Sequence, residues 1–235
     1  MNTNLKILFS LGFILLYYIF LREQDDSLSS FSVIDTIHES INIFDGSHKV
    51  VGSSAREPKI CDKSYVEFLR DLRDRESSDN YFAINSLNFI GAYQFGEAAL
   101  IDLGYVRRDA DVYDNDYGGG FTGKNGIDSV TDFLTDPDVQ DDAAREWMRI
   151  MWHYIEVDGL SNFAWQQIGD VTLSPSGMLA ASHLLGPGAL RRFVESKGQA
   201  DIQDPFGTSL RSYIEYFNGY NVPFLECDSE GSFES

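Results

Sequence analysis

Residues 75–100 read RESSDNYFAINSLNFIGAYQFGEAAL. Just upstream, Tyr65, Phe68, Leu69 and Leu72 recur at i, i+3, i+4 and i+7, the spacing of one apolar helix face. This predicts an amphipathic helix over KSYVEFLRDLRDRE, with Asp62 as its N-cap. Glu76 falls at the end of that helix, four residues after Leu72 and seven after Leu69, so its side chain belongs to the apolar face. A negative charge there also opposes the helix dipole. One reading is a partly solvated acid at the edge of the face. The other is chemical: burial beside apolar groups raises a carboxyl pKa. A carboxyl that keeps its proton near neutral pH can act as a general acid, the role that protonates the leaving oxygen in glycosidic cleavage. Pairing with Arg75 would lower that pKa and work against the acid role.

Working outward, YQFGEAALIDLG predicts a second helix, stopped by Gly104. YVRRDADVYDNDYGGGFTGKNGID is rich in Gly and Asp and reads as a long loop, with room for a short hairpin. SVTDFL is a short helix. A longer helix covers about Pro137 to Val157, with Val139, Ala143, Trp147, Ile150 and Tyr154 along one side. SPSGMLAASHLLG has Ser174 as a cap, Pro175 at the first helical position and Gly186 as a stop. GALRRFVESKG and GTSLRSYIEYFNG complete the set. No alternating strand series and no internal repeat is present. The expected class is mainly α.

Four segments are expected: a signal anchor or signal peptide over 1–22, a polar spacer over 23–57, a helical domain over 58–227 and a disordered acidic tail over 228–235. The apolar run Ile7 to Leu21 is preceded by Lys6 and followed by Glu23, Asp25 and Asp26, which places the N-terminus in the cytoplasm and the body outside. The run is short for a span and also fits a signal-peptide core. The expected location is therefore exported, anchored to the inner membrane through residues 7–21 or released by cleavage. Cys61 and Cys227 flank the helical body. In an oxidising compartment they are candidates for a bridge, which would contribute on the order of 4–5 kcal/mol in the chain-entropy model. Two separate thiols are the alternative.

With a net charge of −19, the chain is not expected to bind nucleic acid through a basic surface. Asp109, Asp111, Asp114 and Asp116 offer hard oxygen ligands at short spacing, but the spacing is not that of an EF-hand. A solvated or glycan-facing loop is the preferred reading, and no metal or cofactor is expected. His183 in AASHLLG reads as a packed core histidine. Trp147 reads as core, whereas Tyr93 and Tyr117 are placed better for contact with a sugar ring. No phosphate loop, dinucleotide fingerprint, zinc-protease or nucleophile-elbow motif occurs.

Glu76-Ser77 followed by Gly91-Ala92-Tyr93-Gln94 resembles the lysozyme-like superfamily of soluble lytic transglycosylases and goose-type lysozymes. Their motifs read Glu-Ser, then Gly-x-x-Gln, then a late Tyr/Asn element. WMRIMWHYIEVDGL, SPSGMLAASHLLGPGALRRFV and DPFGTSLRSYIEYFNGY extend the likeness over most of residues 61 to 225. The late element departs from the usual Ala-Tyr-Asn and reads Tyr216-Phe217-Asn218-Gly219.

The resemblance implies a lysozyme-like helical domain that cuts the β-1,4 bond between N-acetylmuramic acid and N-acetylglucosamine in peptidoglycan strands. Glu76 would be the single catalytic acid. Ser77, Gly91, Tyr93, Gln94, Tyr117, Tyr216 and Asn218 would line the substrate site. The hydroxyl that supports the acid would come from Tyr213, Tyr216 or Tyr220. Simple hydrolysis would call for a second carboxylate, with Asp79, Glu97 and the acids of the central loop as candidates. A non-catalytic glycan-binding module is the rival from a different class.

Overall fold

The computed structural model describes residues 61–224. These residues fall within one compact unit, Glu57–Ser235. The segments expected as anchor, spacer and acidic tail, with Cys227, lie outside the described residues. Among the described residues no helix is long and apolar enough to cross a membrane.

The described residues hold seven α-helices: α1 (Tyr65–Ser77), α2 (Glu97–Asp102), α3 (Val130–Thr135), α4 (Pro137–Val157), α5 (Pro175–Leu185), α6 (Pro187–Glu195) and α7 (Leu210–Tyr216). Among the described residues strand structure is confined to one antiparallel pair, β1 (Gln167–Ile168) and β2 (Val171–Thr172), and several isolated bridges. The domain is mainly α.

α1 buries Phe68, Leu69 and Leu72, as its periodicity requires. Its cap differs from expectation. Ser64, not Asp62, accepts from the Glu67 amide, and the Glu67 carboxylate in turn accepts from the Ser64 amide. Satisfying two helix-end donors at once favours this capping box over a lone aspartate further upstream. The second helix is shorter than expected. Gln94 and Phe95 belong to a tight hairpin instead, and the helix begins after Gly96.

α5 is the axis of the domain. Pro175 to Ser182 are all buried, so this helix is apolar on every side. Ser174 caps it by accepting from the Gly177 amide at 3.1 Å. A Cβ at Gly177 would stand 2.6 Å from the Ile214 carbonyl oxygen, so the glycine lets the backbone of α7 close against α5. α4 packs against α5 and buries Ala143, Ala144, Trp147, Met148, Met151 and Ile155. That face is rotated from the expected stripe: Val139 and Ile150 are half-buried, and Tyr154 is exposed, its hydroxyl 3.0 Å from Asp102 Oδ2.

Cys61 is disulfide-bonded, and its Sγ lies 3.6 Å from the Tyr220 carbonyl oxygen. The parallel bridge between Lys63 and Tyr220 brings the start and the end of the described chain side by side.

Candidate active site

The hairpin loop Gly91–Gln94 is closed by paired hydrogen bonds between Ile90 and Phe95, at 3.0 and 2.8 Å. The peptide groups of Ala92 and Tyr93 point away from that ladder. Three side chains from three helices take them up. Ser77 Oγ at the end of α1 donates to the Ala92 carbonyl at 2.9 Å. Gln140 of α4 accepts from the Ala92 amide at 2.8 Å. His183 of α5 donates to the Tyr93 carbonyl at 2.9 Å. Buried backbone polar groups need such partners. The two motifs Glu76-Ser77 and Gly91-Gln94 are thus physically joined, and Glu76 is held beside the hairpin.

Gln140 is fully buried and also donates to the carbonyls of Tyr81 and Phe133. It explains Gly91. With φ at +79°, Gly91 sits in the left-handed region, and a Cβ there would collide with Gln140 Oε1. The glycine therefore has a packing reason independent of any ligand. Sequence reading misses Gln140, because a single glutamine on a helix gives no local sign of a partner 48 residues away.

The His183 proton can be assigned from its neighbours. Trp147 Nε1 donates to His183 Nδ1 at 3.1 Å, so the ring proton sits on Nε2, facing the Tyr93 carbonyl. Burial lowers this imidazole to about 4. It is neutral near pH 7, and the 3.9 Å between its Nε2 and Glu76 Oε1 is not an ion pair there. The expected packed histidine is what the structure contains.

The Glu76 side chain is 12% exposed. Tyr213 of α7 donates to its Oε1 at 2.8 Å. Burial raises the Glu76 carboxyl to about 7, helped by the charge of Asp204 and opposed by Tyr213 and Arg75. Desolvation therefore wins over the hydrogen bond and the nearby cation. Arg75 is drawn aside: its guanidinium lies over the rings of Tyr213 and Tyr216, at 5.4 and 5.1 Å from their centroids.

Of the three tyrosines that could reach the acid, Tyr213 does. Tyr220 is turned to Asp71 Oδ2 at 2.6 Å and to Lys63 at 3.1 Å. Tyr216 is 46% exposed and packs edge-on against the buried Phe217. Asn218 is exposed beside it. The phenylalanine of the late element thus faces the core, and the hydroxyl comes from one helical turn earlier.

Among the expected lining residues, Gln94 is half-buried at φ +49°, its amide donating to the Gly91 carbonyl at 2.9 Å. Tyr93, expected at the sugar site, is fully buried instead. Its hydroxyl is 2.9 Å from Asp141 Oδ1, which also binds Arg73 and Tyr81. Within the turn the Tyr93 ring is buried while its neighbour Gln94, in the left-handed region, stays nearer the surface. Tyr117 is half-buried, its hydroxyl 2.7 Å from the Asn88 carbonyl, and the long loop is thereby seated on the hairpin.

The expected second carboxylates are occupied elsewhere. Asp79 is paired with Arg73 at 2.7 Å. Glu97 is buried under the long loop. Asp204, which sequence reading passes over, is the acid whose charge reaches Glu76. A turn holds it: its Oδ1 accepts from the amides of Phe206 and Thr208 at 2.9 and 2.7 Å. A surface depression of about 410 Å³, lined by Asp102, Arg149, Ile150, His153 and Tyr154, includes none of these residues.

No protein-family model, no curated protein and no solved structure matches this chain.

Proposed function

We propose that the chain is a lytic transglycosylase of lysozyme-like fold that cleaves peptidoglycan strands, with Glu76 as its acid and base. The observation that carries this reading is the condition of Glu76: a largely buried carboxyl, 12% exposed, held by Tyr213 and raised to about 7. Such a group is half protonated near neutral pH, so it can give a proton and take one back.

In the proposed reaction Glu76 protonates the glycosidic oxygen as the bond from C1 of N-acetylmuramic acid breaks. The substrate's own N-acetyl group stabilises the oxocarbenium-like centre. The muramic 6-hydroxyl then attacks C1 and gives its proton to the Glu76 carboxylate. The acid is regenerated, no water is consumed and the product is a 1,6-anhydro sugar. Tyr213 steadies the carboxylate between the two proton transfers. Gln94, exposed Tyr216 and Asn218 are the proposed sugar contacts, and Gly91 serves the hairpin by leaving room for Gln140. Ser77 acts by position, through Ala92. The setting is an exported domain, tethered to the inner membrane by residues 7–21 or released from it.

Hydrolysis by a lysozyme is the second reading, and Asp204 is the observation that favours it, since a second carboxylate near the acid can orient a water. Digestion of purified peptidoglycan with mass spectrometry of the products separates the two. Anhydromuropeptides from the wild type, reduced at least about 100-fold by Glu76→Gln, are the expected result. Reducing ends without anhydro products, lost in Asp204→Asn, would establish hydrolysis instead. A folded wild type that pellets with peptidoglycan but releases nothing would make this a binding module.

A further inference from the structure

The long loop between α2 and α3 carries a group that the chemistry of Glu76 does not use. Glu97 has no exposed surface. Its Oε2 accepts from the Tyr117 amide at 2.9 Å. Its Oε1 is buried and has no hydrogen-bond partner. A buried carboxylate oxygen without a partner is costly, and such exceptions call for an explanation.

Two more acids stand beside it. One carboxylate oxygen each from Glu97, Asp109 and Asp116 lie within 4.8 Å of one another. No lysine, arginine or histidine among the described residues forms an ion pair with any of the three.

The backbone is shaped around the cluster. Asn115, nearly buried, accepts from the Glu97 amide at 2.8 Å and ties the loop to the Leu87 carbonyl at 2.9 Å. Gly118 donates to Asp116 Oδ1 at 2.6 Å. A Cβ on Gly118 would stand 2.7 Å from Asp116 Oδ1 and 2.8 Å from Asp109 Oδ2. Any side chain there would fill the space the two carboxylates share.

The geometry points to a calcium-binding site formed by Glu97, Asp109 and Asp116, with the unpartnered Glu97 Oε1 as its innermost ligand. The donors are all carboxylate oxygens, which suits a hard cation and excludes the nitrogen and sulfur sets that select zinc or copper. An irregular loop suits calcium over magnesium, because calcium accepts variable coordination whereas magnesium demands near-ideal octahedral geometry. Solvent would complete the coordination at the exposed Asp116. The bound ion would fasten the loop to α2. Tyr117, whose amide and hydroxyl join Glu97 to Asn88, would carry that restraint to the hairpin that bears Gln94. The site does not depend on the glycan-cleaving assignment.

Calorimetric titration and thermal unfolding of the full chain, stripped of metal with a chelator, test it. Calcium chloride should give one saturable binding event and raise Tm, and magnesium chloride should do neither at equal concentration. Asp109→Asn, half-exposed and away from the core, should weaken calcium binding at least about tenfold, because a neutral amide oxygen replaces an anionic ligand. Glu97→Gln should do the same if it folds; Asp109→Asn decides the matter if it does not. Asp111→Asn, outside the cluster, should leave binding unchanged. The inference is overturned if folded wild type shows no calcium heat and no rise in Tm. It is equally overturned if magnesium matches calcium, or if Asp111→Asn loses as much as Asp109→Asn, because the acidic surface is then merely screened.

Discussion

Tyr213 Oη donates to Glu76 Oε1 at 2.8 Å across a sequence separation of 137 residues. One hydrogen bond thus links the end of α1 to α7, and it opposes the desolvation that raises Glu76. Hydrogen bonds to a charged group are worth about 1.5–3 kcal/mol. Tyr213→Phe should therefore move the alkaline limb of the pH profile of the proposed glycan cleavage upward by about one pH unit, because the carboxyl then holds its proton more tightly. The maximal rate should fall as well. A limb that stays in place would mean that Tyr213 does not touch the working acid.

Stability should carry the same signature with a definite sign. Glu76 is raised to about 7 in the folded protein, above its ordinary value in the unfolded chain. The folded state then binds more protons between these values, so this group's contribution to stability is lost as pH rises through that window. Glu76→Gln should have little effect on Tm at pH 4.5 and should stabilise by about 3 kcal/mol at pH 8. Urea unfolding at both pH values measures it. An equal effect at the two pH values would place the carboxyl in solvent.

His183 predicts the opposite slope. Burial holds it near 4, below its unfolded value, so its contribution is present above the unfolded value and is lost as pH falls towards 4. Wild type should lose stability more steeply than His183→Gln between pH 6.5 and 4. Because the windows of Glu76 and His183 overlap with opposite signs, the comparison is best made in a Glu76→Gln background. Parallel pH profiles with and without the histidine would overturn the neutral, buried assignment.

Gly91 and Gln140 should behave as a coupled pair. Gly91→Ala introduces a Cβ at positive φ that meets Gln140 Oε1, and it should destabilise by about 2–4 kcal/mol. In a Gln140→Ala background the collision is gone, and the same change should cost about 1 kcal/mol, the backbone part alone. A double-mutant cycle by chemical denaturation measures the difference. Additivity within about 0.5 kcal/mol would show that the two residues do not press on one another.

What the amino-acid sequence determined by itself is local. The Phe68–Leu69–Leu72 spacing set the buried face of α1, and Ser174 with Pro175 set the start of α5. These features act within a turn or two of helix, so their physics is complete in a short window. The same logic put Glu76 on an apolar face before any tertiary contact was known. Where several nearby residues could play one part, the window was too narrow to choose. Ser64 took the cap over Asp62 because it alone forms the reciprocal pair with Glu67. α4 turned its stripe because its buried face is set by α5 and not by its own periodicity.

Only the tertiary structure decided which side chains meet Glu76 and the hairpin. Tyr213 reaches the acid because Gly177 lets α7 lie close against α5. Tyr93 turns inward, and its carbonyl is left for His183. Gln140 grips Ala92, and Asp204 bears on Glu76. Each of these depends on where three helices cross, and neither residue types nor spacing encode a crossing. Sequence could place the acid at the end of a helix; the burial that raises it and the hydroxyl that holds it are properties of the packed whole.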